Sequence, residues 1–82
     1  MPIAYVLINC DLGSEEAIIK EIQKIPEVKE VRGVYGVFDI FAKVESDDMA
    51  HLRDVITLKI RRMDRVRSTN TLMAIEEQGG KT

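Results

Sequence analysis

Eight residues near the start of the chain, Ile3 to Cys10 (IAYVLINC), are β-rich and apolar at both parities. Successive side chains alternate across a strand. Ala4, Val6, Ile8 and Cys10 therefore share one face, and Ile3, Tyr5 and Leu7 share the other. A strand apolar on both faces is buried on both faces. The rest of the molecule must cover two sides, and 82 residues leave room for only one domain.

The segment after this strand supplies one cover. Asp11-Leu12-Gly13 reads as a turn, and Ser14 as a helix N-cap with Glu15 and Glu16 in the first turn, where negative charge favours the helix dipole. Ile18, Ile22 and Ile25 recur at helical spacing until Pro26 stops the helix. Val28, Val31 and Val34 lead through a β-rich stretch to Gly33 and Tyr35-Gly36, which read as a hairpin or bulge. The next strand runs from Val37 to Val44, with Phe38, Ile40, Ala42 and Val44 on one face and Asp39, Phe41 and Lys43 on the other. Ser46 reads as the cap of a second helix with Asp47 and Asp48 in its first turn and an apolar stripe of Met49, Leu52, Ile56, Ile60 and Met63. Val66 to Ile75 makes the last strand, and Gly79-Gly80 mark a frayed tail.

The order βαββαβ predicts an α+β, ferredoxin-like fold: a four-stranded antiparallel sheet with two helices on one face. Residues 1–76 form the domain and 77–82 a flexible C-terminal tail. Two helices can cover only one face of such a sheet, so the second cover must come from elsewhere. Two copies packed sheet to sheet, as an α-β plait dimer, would bury Tyr5, Leu7 and Phe41.

Composition points the same way. With no Trp and only two Tyr and two Phe, the core is built of Ile, Val, Leu and Met. A single core of this size rarely contributes more than about 3–5 kcal/mol unaided. The lone Cys10 excludes an internal disulfide, and one His beside one Cys argues against a structural zinc site. Oligomerisation is the support that remains. The formal charge of −2 argues against direct DNA binding, which relies on a positive field. No apolar run approaches a membrane span and no signal-peptide n-region precedes Ile3, so the expected compartment is the cytoplasm.

Several residues could carry function. Glycines let backbone N–H groups approach a ligand, and Asp39 can accept hydrogen bonds from an ammonium group. Equally, Gly36 can supply the positive φ of a turn that Asp39 caps. Thr69 and Thr71 share a face of the last strand and could bond a carboxylate, although Thr is also a good strand residue. Lys59, Arg61, Arg62, Arg65 and Arg67 form a basic run that could contact phosphate or nucleic acid; the stronger reading is that the first three fall at a helix end, where cations favour the dipole, and balance Asp47, Asp48 and Asp54. His51 lies off the apolar stripe and reads as solvated, and Cys10 as a packing residue. No His or carboxylate pair converges, so no catalytic residue, metal or cofactor is assigned.

The stretch Val34-Tyr35-Gly36-Val37-Phe38-Asp39-Ile40-Phe41-Ala42-Lys43-Val44, followed by an acidic helix start, resembles the Lrp/AsnC ligand-binding (RAM) domain. That family carries Gly-x-x-Asp between its second and third strands, here Gly36 to Asp39, and often Thr at alternate positions of its last strand, here Thr69 and Thr71. Ala4-Tyr5-Val6 is similar to its first strand, and the likeness extends to about residue 76. The resemblance implies an amino-acid-sensing module in transcription regulation. Its effector would bind where dimers meet, against Tyr35, Gly36, Val37, Asp39, Thr69 and Thr71. It further implies a homodimer building a higher oligomer, such as a tetramer of dimers, and co-assembly with full-length Lrp/AsnC regulators. The regulators carry a helix-turn-helix ahead of this domain, so the chain is similar to the stand-alone form, without DNA binding of its own. Tyr35 stands where a small hydroxyl residue often precedes the glycine, which bears on the effector's identity.

Two other readings share the βαββαβ order. Arg32-Gly33-Val34-Tyr35-Gly36-Val37-Phe38 echoes the RNA-binding signature of an RRM, but its base-stacking aromatic slots hold Val34 and Gly36. A small dimeric α+β barrel enzyme would want a convergent pair of acid–base groups.

Overall fold

The computed structural model describes residues 1–80. Lys81 and Thr82, the end of the expected tail, lie outside the described residues. Strands β1 (Ile3–Cys10), β2 (Val28–Gly33), β3 (Ile40–Glu45) and β4 (Val66–Met73) form one antiparallel sheet in the order β2-β3-β1-β4. Helices α1 (Glu15–Gln23) and α2 (Met49–Asp54) complete the ferredoxin-like α+β plan, with α2 continuing as a π-helical turn over Val55–Ile60. No helix among the described residues is long and apolar enough to cross a membrane.

The parity of β1 decides the architecture. Ala4, Val6, Ile8 and Cys10 are buried; across the ladder the first three meet Val44, Ala42 and Ile40 of β3, and Cys10 meets Val66 of β4. Ile18 and Ile22 from α1 and Ile25 just beyond its end at Gln23, with Leu52, Val55, Ile56 and Ile60 from α2 and its π turn, close over this face. Each large aliphatic side chain removed from water contributes about 1.5–3 kcal/mol. The opposite face, with Ile3, Tyr5 and Leu7, is only half-buried in the single chain. Among the described residues no element packs over this second face of β1.

Local detail departs from expectation in four places. Strand β3 begins at Ile40, not Val37: Gly36 takes φ +125, and Val34 to Asp39 form a loop in place of a tight hairpin. The second helix is capped by Asp48, not Ser46. Asp48 has extended backbone angles and its carboxylate accepts the His51 N–H at 2.8 Å, so neither Asp47 nor Asp48 lies in the first turn. Ser46 is instead buried. The helix does not stay α-helical along the apolar stripe: the Arg61 N–H donates to the Ile56 carbonyl, five residues back, at 2.9 Å. That wider turn brings Val55, absent from the expected stripe, into the core. Finally, β4 ends at Met73 and not at Ile75. Ser14 stands at the first cap without a side-chain bond; its carbonyl accepts the Ile18 N–H at 3.0 Å.

Candidate ligand site

The Val34–Asp39 loop is held at its base by main-chain bonds. The Val34 N–H donates to the Asp39 carbonyl, and the Asp39 N–H donates to the Ile8 carbonyl, each at 2.9 Å. The Asp39 carboxylate also accepts the Cys10 N–H at 3.0 Å through Oδ2. Main-chain bonds thus tie Asp39 to Val34 just past β2 and to Ile8 of β1, and its side chain is held by Cys10 at the end of β1. The rest of the loop projects outward: Tyr35 and Val37 are exposed, and Gly36 sits where a Cβ would be strained.

Asp39 faces a groove of about 440 Å³ that it shares with Glu15, Gly33, Val34 and Tyr35. Two carboxylates at one groove favour a cationic group. The Cys10 thiol reports the same field: burial pushes it up first, and Asp39, Glu15 and Asp11 push it further. Cys10 packs in the core cluster, and the shift favours its neutral thiol form.

Thr69 and Thr71 lie on the helix-facing side of β4, opposite Ile8 and Val6. Thr69 is half-buried and Thr71 exposed. Strand β1 separates them from β3 and its loop, and two strand spacings amount to roughly 10 Å. The six expected ligand residues consequently fall into two groups on one chain. Tyr35, Gly36, Val37 and Asp39 belong to the loop; Thr71 lines a different cleft, of about 450 Å³, between β4 and the second helix.

Tyr5, Leu7 and Phe41 come together on the open face of the sheet. Leu7 pairs with Phe41 across the ladder, and the Tyr5 and Phe41 rings stack with centroids 6.0 Å apart. Leu72, half-exposed beside Tyr5, widens the apolar patch.

The basic run does not assemble into one surface. Lys59 points to Glu27, Nζ to Oε1 4.0 Å, and Arg67 to Asp11, Nε to Oδ1 3.7 Å. Asp47, Asp48 and Asp54 make no ion pair with the run among the described residues. His51 is exposed but not merely solvated: its Nε2 lies 2.8 Å from Glu27 Oε2. That bond raises the imidazole's pKa and holds Glu27 low. Glu27 precedes β2 by one residue and carries no signal of this role in the sequence. Among the described residues no three His, Cys, Asp or Glu side chains gather as a metal site.

Comparison with known proteins places the fold in a family. A family described as the Lrp/AsnC ligand binding domain matches residues 3–79. None of the curated proteins compared matches. A hypothetical protein of Pyrococcus horikoshii is 39% identical, with TM-score 0.87 over 92% of this chain and 90% of that one. A Thermus thermophilus protein is 36% identical, with TM-score 0.87 over 92% and 94%. A transcriptional regulator of Neisseria meningitidis, solved as a complex with L-Met, shares the fold at 16% identity and TM-score 0.84; this chain covers 54% of its length.

Proposed function

The chain belongs to the Lrp/AsnC ligand-binding domain family, and on that premise we propose that this regulatory, ligand-sensing module binds an amino acid at a contact between its own dimers. The observation that carries the reading is the loop from Tyr35 to Asp39: an acidic groove, a carboxylate fixed by the Cys10 N–H, and a glycine that lets main chain approach a ligand closely. Asp39 accepts the ammonium group of the ligand, and main-chain donors around Gly36 meet its carboxylate.

The split of the six residues supports an intersubunit site. Thr69 and Thr71 cannot line the loop groove of their own chain, but a neighbouring chain can bring its β4 to this loop. Tyr35 and Val37 project as such a contact requires. The dimer itself forms through Tyr5, Leu7 and Phe41, and four dimers give the higher oligomer. A ligand that touches two dimers then stabilises the assembly by mass action. The module acts on transcription by self-assembly or by joining DNA-binding relatives, since its net charge of −2 disfavours a DNA contact by the domain itself. An L-Met complex of one structural neighbour makes amino acids the first class to test.

Native mass spectrometry with calorimetry against the twenty amino acids tests the proposal. The expected result is an even-numbered oligomer whose size or stability rises with one or a few amino acids. A stable monomer that binds none of them would overturn it.

A further inference from the structure

We propose that the cleft between β4 and the second helix is a separate binding site for an aliphatic monocarboxylate, complete within one chain. Part of its lining is apolar: Met49, Ile56 and Met73 border it, and Met49 and Met73 remain 45% and 41% exposed in the chain. Along the helix, Arg53, Thr57 and Arg61 recur every fourth residue on the side that borders the same cleft. No ion pair among the described residues involves Arg53 or Arg61. The cleft thus combines two uncommitted cations with an apolar pocket of about 450 Å³, within the usual size range for small-molecule sites.

The edge of the sheet adds donors. The Ala74 N–H bonds the Ile3 carbonyl at 2.9 Å, which makes Ile3 and Ala74 a hydrogen-bonded pair. Pairs alternate along an antiparallel ladder, so Thr71 and Met73, opposite Val6 and Ala4, turn their main-chain N–H and C=O away from β1. Since β4 is an edge strand, those groups lie unpaired along the sheet's rim, on two residues that also line the cleft. A carboxylate bonded by guanidinium groups and flanked by main-chain N–H donors, with its alkyl chain against the methionines, uses every feature of this cleft. A cationic or zwitterionic ligand would instead bring an ammonium group against two arginines.

The chemistry is opposite to that of the loop groove, where Glu15 and Asp39 favour a cation. Thr71 is the one residue both readings use, contributed to the loop groove by a neighbouring chain and to this cleft by its own, so probes of opposite charge test the two sites apart. Octanoate serves as the probe, with octan-1-ol and acetate as controls, on full-length protein carrying ¹³C-methyl methionine. Octanoate is expected to shift the Met49 and Met73 methyl signals saturably while Met63, packed against the core elsewhere, stays in place. Arg53→Ala and Arg61→Ala should each weaken binding at least about tenfold, the scale of one charge-assisted hydrogen bond, with the Met63 signal reporting an intact fold. Asp39→Ala should leave octanoate binding unchanged whatever it does to amino-acid binding. Equal shifts with octan-1-ol, unmoved Met49 and Met73 signals, or loss of octanoate binding in Asp39→Ala would overturn the proposal.

Discussion

Asp39 Oδ2 accepts the backbone N–H of Cys10 at 3.0 Å, joining the start of β3 to the end of β1 across 29 positions of sequence. The bond satisfies a donor at the point where β1 leaves the sheet and turns toward α1. It also fixes the orientation of the carboxylate that the proposed function assigns to the ligand's ammonium group. One side chain is thus asked to hold the loop and to read the ligand.

Substitution separates the two roles. Asp39→Asn keeps an oxygen that can accept the Cys10 N–H but removes the charge. It should retain most of the stability and lose amino-acid binding. Asp39→Ala removes both, and should cost about 1.5–3 kcal/mol, the range for a hydrogen bond to a charged group. Chemical denaturation and calorimetry on the pair check this: binding by the Asn variant at wild-type strength would take the charge of Asp39 out of recognition.

Much of the fold is legible because β1 is unambiguous. Its two apolar parities, the isoleucines of α1 at helical spacing and Pro26 leave few alternatives to one sheet with helices on one side. The details that escape the sequence share a cause: they are set by tertiary bonds or backbone angles, not by pattern. Val37 and Phe38 read as strand, yet the positive φ of Gly36 and the anchoring of Asp39 to Ile8 and Cys10 make them loop. Ser46 and Asp48 are both good caps by type, and only the extended backbone at Asp48 decides between them. A π turn leaves no periodic trace beyond two adjacent buried residues, Val55 and Ile56. For the site, the residue types are readable but their grouping is not. No sequence pattern announces that this topology inserts β1 between the strands of Asp39 and Thr71, so that a groove using both must draw them from two chains.

The open sheet face should control assembly. Leu7→Asp or Phe41→Asp places a charge in the centre of the apolar patch while leaving the helix-covered face untouched. A charge buried there without a partner is strongly unfavourable, so the dimer should dissociate to folded monomers. Sedimentation and circular dichroism on the same samples check both halves. A variant that stays dimeric would move the interface elsewhere.

Leu52 joins α2 to the sheet and is fully buried. Leu52→Ala leaves a cavity and should cost about 2–5 kcal/mol. The loss should be visible as a lower denaturant midpoint, and for a domain of this size it is a large share of the total. Met49→Ala, one turn earlier but half-exposed, should cost much less. Equal costs at both positions would contradict the burial pattern.

The His51–Glu27 contact makes stability depend on pH in a defined direction. His51 Nε2 lies 2.8 Å from Glu27 Oε2, and that hydrogen bond is the chief reason the imidazole sits above its ordinary 6.5 and Glu27 below its ordinary 4.5. Lys59, 4.0 Å from the other Glu27 oxygen, favours the carboxylate and opposes the imidazolium, while Asp48 favours the imidazolium. A raised histidine contributes stability that is complete below 6.5 and fades as pH rises through its folded value. A lowered glutamate contributes above 4.5 and loses its share as pH falls through its folded value. The pair is therefore strongest between about pH 4.5 and 6.5 and weakens on either side. His51→Gln removes the titrating group while keeping a backbone N–H for Asp48. Unfolding midpoints of wild type and His51→Gln, measured from pH 4 to 8, should differ most inside that window and converge toward the alkaline end. A difference that stays constant over the whole range would mean that the contact contributes through packing and not through charge.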